Sequence, residues 1–272
     1  MRKARVLWIL IVMILIGGLA VMGLFGIDSF SAFRKIDQEM SFITSQTAVI
    51  HVDTSNIPVH IIKSEAGRDI RIHLSGRSRR GLELLSETIG QTVSIRIDHK
   101  LDGLPVEEVI LVVYIPEDYG KDLLIRTSSG LVSVDPIDLT SFTLETTSGG
   151  MVAEMISADK ITLNTTSGSI SLKDYDSREL EIKGTSSAVT VTCSEYDNKI
   201  VRIETTSGSI DLTLPSSAEF TYQIATNGKF QTAFPISTSG SNGNTRLEGQ
   251  LGSGMNSVSL QATSGSVTIS AS

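Results

Sequence analysis

The chain has one cysteine, Cys193, one tryptophan, Trp8, and aromatic residues at only 5% of its 272 positions. A lone cysteine excludes an internal disulfide, so stability must come from burial of sheet surface. So few rings exclude a wide ring-filled core and suit a narrow one of stacked Ile, Leu and Val. Histidine is scarce too. His51, His60, His73 and His99 fall on separate expected strands, none in a His-x-x-x-His pair and none near a second cysteine, so metal-ligand spacing is missing. His60 is placed where it could meet His73 across neighbouring strands. No serine sits in a Gly-x-Ser-x-Gly elbow, and GQLGSG at 249–254 lacks the Lys-Ser/Thr of a phosphate loop. These absences assign no catalytic residue, no metal and no cofactor, and the expectation is a protein that is not an enzyme.

What the chain has in plenty is Thr-Ser-Gly. TTSGSISL at 165–172 returns as TTSGSIDL at 205–212, and more loosely as TSSGLVSV at 127–134, TTSGGMVA at 146–153 and TSGSVTIS from 263. Alternating apolar pairs precede these copies: Leu123/Ile125, Phe142/Leu144, Ile161/Leu163, Leu180/Ile182, Val201/Ile203 and Val258/Leu260. The first four pairs are spaced 19 residues apart and the next step is 21. A fixed period near 20 is the mark of a repeat architecture. Within one unit, Ile161, Leu163 and Thr165 share a strand face, Ser167-Gly168 bends the chain, and Ile170 and Leu172 resume the alternation. A glycine at the bend suggests positive φ. Two strands and two corners per unit predict one rung of a β-solenoid, which must stack to bury its apolar face.

Stacking in register would place Thr165 near Thr146 and Thr205 in a ladder of hydroxyl and methyl contacts. The copy GTSSAVTV at 184–191 lacks the bend glycine, and Ser187 in its place predicts an altered or strained corner. Near 222–232 only Asn227-Gly228 marks the unit, and 236–256 reads as a loop or irregular rung. The same short strands also suit an antiparallel sandwich with a hairpin at each Ser-Gly; constant spacing favours the solenoid.

The amino terminus carries Arg2, Lys3 and Arg5, and residues 6–27 then run 22 positions without a charge. As a helix that run spans about 33 Å, enough to cross a bilayer. Basic residues ahead of it place the amino terminus inside and the rest outside. A cleaved signal peptide with a small-x-small site ending at Ala20 is the alternative; the apolar run continues to Ile27, which favours a retained anchor. Beyond it, 20 basic residues face 30 acidic ones, a net −10 that argues against nucleic acid and against close adhesion to anionic lipid. Arg77, Arg79 and Arg80 read as a solvated basic turn. The expected organisation is a cytoplasmic tip and transmembrane anchor at 1–27, a stalk at 28–47 with a short helix near Phe33–Phe42, a β-rich capping region at 48–120, and solenoid repeats at 121–272.

The basic tip and single span, the strand-rich lead ending VVYIP, and the iterated I-x-L-x-T-T-S-G-x-I-x-L units resemble the putative-adhesin, LiaG-like family of bacterial membrane-anchored β-repeat proteins. The resemblance covers about residues 48–270. It implies an extracytoplasmic protein of a Gram-positive cell membrane, in some members linked to envelope stress, and it transfers no catalytic residue. The functional expectation is a non-enzymatic interaction or scaffold protein of the cell envelope. Its partners would be the membrane through the span, and an envelope protein or a cell-wall polymer. The alternative is a binder of surface carbohydrate that uses Thr147, Thr166 and Thr206. A wall-polymer hydrolase or lyase would need an acidic cluster, for which the chain offers Asp174, Asp176 and Arg178 in one connection and Asp135 and Asp138 in another.

Overall fold

Successive units lie in parallel and in register: Phe142 beside Ile161, Leu144 beside Leu163, Thr146 beside Thr165. Parallel pairing of strands one unit apart excludes a hairpin at each Ser-Gly, and the chain winds as a solenoid. The computed structural model describes residues 33–65, 68–79, 81–99, 106–236 and 245–272. The span expected at 6–27, Arg80 and part of the 236–256 stretch lie outside the described residues. Among the described residues no helix is long and apolar enough to cross a membrane.

The described elements are almost entirely strands. They are β1 (Arg34–Ile43), β2 (Val49–Thr54), β3 (Val59–Ser64), β4 (Asp69–Ser78), β5 (Leu82–Ile89), β6 (Thr92–His99) and β7 (Val106–Pro116) in the first half. The repeats supply β8 (Asp122–Thr127), β9 (Val132–Val134), β10 (Ile137–Thr146), β11 (Met151–Glu154), β12 (Ile156–Thr165), β13 (Ile170–Lys173), β14 (Asp176–Gly184), β15 (Val189–Thr192), β16 (Ile200–Thr205) and β17 (Ile210–Leu214). The last part adds β18 (Phe220–Thr226), β19 (Phe230–Thr232), β20 (Thr245–Leu251), β21 (Asn256–Ala262) and β22 (Val267–Ala271). They form two 11-stranded sheets, ordered β1-β4-β7-β3-β9-β11-β13-β15-β17-β22-β19 and β5-β6-β2-β8-β10-β12-β14-β16-β21-β18-β20.

Each central rung crosses from one sheet to the other at the Thr-Ser-Gly corner. Alternation then decides burial: Phe142, Leu144, Ile161, Leu163, Leu180, Ile182, Val201 and Ile203 are all at most 1% exposed. Burying one such side chain contributes about 1.5–3 kcal/mol. The long strands also turn a second corner, because Ile137–Leu139 pairs with Ile156–Ala158 before the main register resumes at Ser141 beside Lys160. Positive φ sits near this second corner, at Met155 (55°) and Asp174 (51°), and not at the Ser-Gly bend.

The ends are built out of chain order. β2 and β3 pair in parallel with β8 and β9 on one side and with β6 and β7 on the other. Residues 48–64 and 92–116, expected as a cap without repeat spacing, thus continue the rungs; the long β4–β5 excursion between them hides the period. Antiparallel β4 and β1 then finish one sheet and β5 the other. β1 replaces the expected helix near Phe33–Phe42, because Ile36, Gln38, Met40 and Phe42 alternate inward at strand spacing. Gln38 ties the two sheets together at this end: its Nε2 donates to the Leu82 carbonyl and its Oε1 accepts from the Leu84 amide, both at 2.8 Å. At the far end β21 slots between β16 and β18, so the last rung in sequence is not the last in space. The scarce rings gather there, with Phe220 in edge contact with Tyr196, Tyr222 and Phe234.

Candidate functional site

The repeated corner has a chemistry of its own. In three units the buried threonine accepts a hydrogen bond from the amide three residues on, Gly130 to Thr127 Oγ1 at 3.0 Å, Gly149 to Thr146 at 3.0 Å and Gly168 to Thr165 at 2.9 Å, while Thr205 Oγ1 donates to the Gly208 carbonyl at 3.0 Å. Its hydroxyl is therefore engaged inside its own turn, a local side-chain-to-backbone bond that fixes the bend. The glycine is required by close approach rather than by φ. A Cβ on Gly168 would stand 1.7 Å from the Gly149 carbonyl oxygen, and one on Gly208 1.6 Å from that of Ser187. Rungs touch backbone to backbone at this corner.

The unit at 184–191 solves the same problem in reverse. Gly184, not Thr205, is the neighbour of Thr165, and Thr205 pairs with Gly184 from the other side. The expected threonine ladder is interrupted there. A Cβ on Gly184 would lie 1.7 Å from the Ser187 Oγ, so the serine hydroxyl fills the space that a threonine side chain takes in the other rungs. The motif Thr-x-x-Gly has become Gly-x-x-Ser.

Outside the buried threonine, the corner is a ridge of exposed hydroxyls. Thr147, Ser148, Thr166, Ser167, Thr185, Ser186, Thr206, Ser207, Thr263 and Ser264 all face solvent. Their backbone is pinned by rung-to-rung bonds: Ser167 N to the Thr147 carbonyl at 2.8 Å, Ser186 N to Thr166 and Ser207 N to Thr185 at 2.7 Å. The ridge is thus spaced by sheet geometry, about 4.8 Å per rung. Beside it, a shallow groove of about 340 Å³ is bounded by Glu145, Asn164 and Lys183 on the strands and by Thr166 and Thr185 on the ridge. Charges on that sheet face are mostly paired, as in Arg126 with Glu145 at 2.7 Å and Arg202 with Glu179 at 2.8 Å. Exposed pairs of this kind add little stability; they leave the face polar and nearly neutral.

The acidic and histidine candidates are dispersed. Asp174 accepts a bond from the Ser194 hydroxyl, while Asp176 takes the Lys199 ammonium at 2.8 Å, and Arg178 points to solvent. Asp174 and Asp176, but not Arg178, share a cavity of about 300 Å³ with Met155, Tyr175 and Glu195. Burial pushes the Tyr175 hydroxyl well above its ordinary value and raises the Cys193 thiol. Asp135 pairs with His60 at 2.9 Å and Asp138 with Lys63 at 3.2 Å. His60 does not meet His73, because β7 runs between their strands and Val112 separates them. His73 instead bonds Asp37 at 2.9 Å. Sequence reasoning missed the Asp37–His73 pair, since only the antiparallel β1–β4 pairing brings the two together. Among the described residues no group of three or more His, Cys, Asp or Glu is placed to hold a metal ion.

The Toastrack DUF4097 family model matches residues 48–198, more than half of the chain. The chain belongs to that family. The match runs from β2 through β15 and includes the out-of-order rungs as well as the regular ones. Among solved structures, this Toastrack chain is similar to a "putative cell adhesion protein" from Clostridium sporogenes at 13% identity and TM-score 0.41, covering 88% of this chain and 100% of that one. It is similar to a "putative adhesin" from Bacteroides fragilis at 9% identity and TM-score 0.47, covering 87% and 98%. It is also similar to a "putative lipid binding protein" from Parabacteroides distasonis at 14% identity and TM-score 0.45, covering 85% and 96%. No curated protein matches the chain significantly.

Proposed function

We propose that this Toastrack protein is a membrane-anchored, extracytoplasmic interaction module of the bacterial cell envelope, of the LiaG-like kind, and that it does no chemistry itself. The observation that carries this reading is the corner. Every candidate nucleophile of the Thr-Ser-Gly motif recurs from rung to rung, so the surface offers an extended array rather than a convergent site. An array of fixed spacing suits a long partner. The apolar run at residues 6–27 supports the anchor, with the acidic solenoid held outside.

A second reading, carbohydrate binding by the same ridge, is favoured by the groove beside Thr166 and Thr185, whose walls mix an amide, paired charges and hydroxyls. Co-sedimentation of the detergent-solubilised protein with purified cell wall separates the two. Wall binding that disappears when Thr147, Thr166 and Thr206 are replaced together by Glu, with folding retained, establishes the carbohydrate reading. No wall binding, with an envelope protein cross-linked in membranes, establishes the protein partner. Turnover of a wall polymer that is abolished by Asp174→Asn would overturn both.

A further inference from the structure

We infer that the carboxyl-terminal end of the solenoid carries a binding site for a neutral, N-acetylated sugar unit, in the depression floored by Ala225. The inference rests on the carbohydrate reading above and places it away from the Thr-Ser-Gly ridge. A cavity of about 330 Å³ lies where β21, β18 and β20 run side by side, and its polar lining is Gln223, Arg246, Glu248, Ser259 and Gln261. That volume is within the range of small-molecule sites. Strand alternation puts these side chains on one outer face, because the residues between them, Ile224, Leu247 and Leu260, are buried. Register then arranges them. Ala225 stands opposite Gln261 on one side and Arg246 on the other, and Gln223 stands opposite Ser259 and Glu248. A single methyl group among long polar side chains makes the floor.

These groups differ from the rest of the same sheet face in being uncommitted. From β8 to β16 outward charges pair with one another: Arg126 with Glu145 at 2.7 Å, Lys160 with Glu179 at 3.5 Å, Arg202 with Glu179 at 2.8 Å. Gln223, Arg246, Glu248 and Gln261 are exposed. Among the described residues, Arg246 and Glu248 enter no ion pair, and neither glutamine side chain makes a hydrogen bond. The chemistry of the set decides its ligand. One guanidinium and one carboxylate leave the site neutral; the acidic exterior disfavours an anion and Arg246 disfavours a cation. Each primary amide both donates and accepts, which suits a ligand that does both, as sugar hydroxyls and an acetamido group do. An acetyl methyl fits the Ala225 floor while its amide N–H and C=O meet the glutamines. The guanidinium and the carboxylate are suited to paired hydrogen bonds with neighbouring hydroxyls. Because β20 is an edge strand, a longer glycan can run off over the edge of the sheet.

The test is saturation-transfer NMR of tetra-N-acetylchitotetraose, with maltotetraose as the comparison, on the full chain in detergent micelles and with empty micelles as the blank. The expected result is transfer strongest at the acetyl methyl protons and several-fold weaker for maltotetraose. Ala225→Leu, which fills the floor, and Gln261→Ala and Arg246→Ala, which remove its walls, should each weaken binding several-fold with urea unfolding unchanged. Replacing Thr147, Thr166 and Thr206 together by Glu should leave it unchanged. Equal transfer to both sugars overturns the acetamido assignment. Binding lost with the three threonines but kept in Ala225→Leu and Gln261→Ala overturns this site and leaves the carbohydrate reading on the ridge. No transfer to either sugar from a chain that still sediments with cell wall overturns the site alone. No transfer and no wall binding overturn the site and the carbohydrate reading together.

Discussion

The central rungs and the two ends of this solenoid are built by different rules. From β10 to β15 each strand pairs with the strand one unit earlier and one unit later, always in parallel. At the ends the chain skips positions, reverses direction and uses larger side chains. The amino-terminal end closes with antiparallel β1, β4 and β5 and the Gln38 bridge, the other with antiparallel β20 and the rings around Phe220. The reason is physical. An interior rung meets a copy of itself on both sides and is satisfied by repetition, whereas an end rung has an open edge that must be covered.

Breaking the interior register should have the largest effect. Deletion of residues 161–179 removes one whole unit and brings Leu144 beside Ile182, so the shortened protein still unfolds cooperatively in urea. Deletion of 161–170 alone shifts the apolar faces out of register and should leave no cooperative transition. The corner comes next. Gly208→Val forces a Cβ into the Ser187 carbonyl and should cost at least about 3 kcal/mol. Gly90→Ala, in an end turn with φ of 61° and nothing within 4 Å, should cost only about 1 kcal/mol. The two values together show whether interior glycines serve contact and end glycines serve conformation. Phe220→Ala should cost about 3–5 kcal/mol by opening the ring cluster that closes the far end.

How much could be read from the sequence follows the same division. The inward pairs Leu123/Ile125 to Val201/Ile203 and the buried threonines were legible, because period and alternation are local. The bend glycines were legible as glycines but for the wrong reason, since their constraint is a carbonyl oxygen of the neighbouring rung, 19 residues away for Gly168, 21 for Gly208 and 73 for Gly130. Residues 48–116 looked aperiodic because β4 and β5 interrupt two rungs that are contiguous in space. The placement of β21 between β16 and β18 left no local trace at all. The same is true of the candidate site: the exposed threonines could be named, but the groove beside them and the Asp37–His73 pair depend on pairing that only the folded chain shows.

The smallest effect is electrostatic and belongs to the amino-terminal end. Hydrogen bonds from Lys35 and His73 hold the exposed Asp37 carboxyl down at about 2, from an ordinary 3.8. The folded value is the lower one, so the pair's small stabilisation is complete above the ordinary value and is lost as pH falls toward about 2. Carboxyl NMR titration should place Asp37 there, and Lys35→Ala should move it back toward the ordinary range.

One hydroxyl and one missing Cβ make each corner, and the two can change places. A double-mutant cycle at the exceptional rung tests it most directly. Gly184→Thr alone drives a side chain into the Ser187 Oγ, and Ser187→Gly alone empties the corner, so both should destabilise. Together they rebuild the Thr-x-x-Gly of the neighbouring rungs, and urea unfolding should recover about 2 kcal/mol of the summed loss. Strict additivity of the two substitutions, within about 0.5 kcal/mol, would contradict the account.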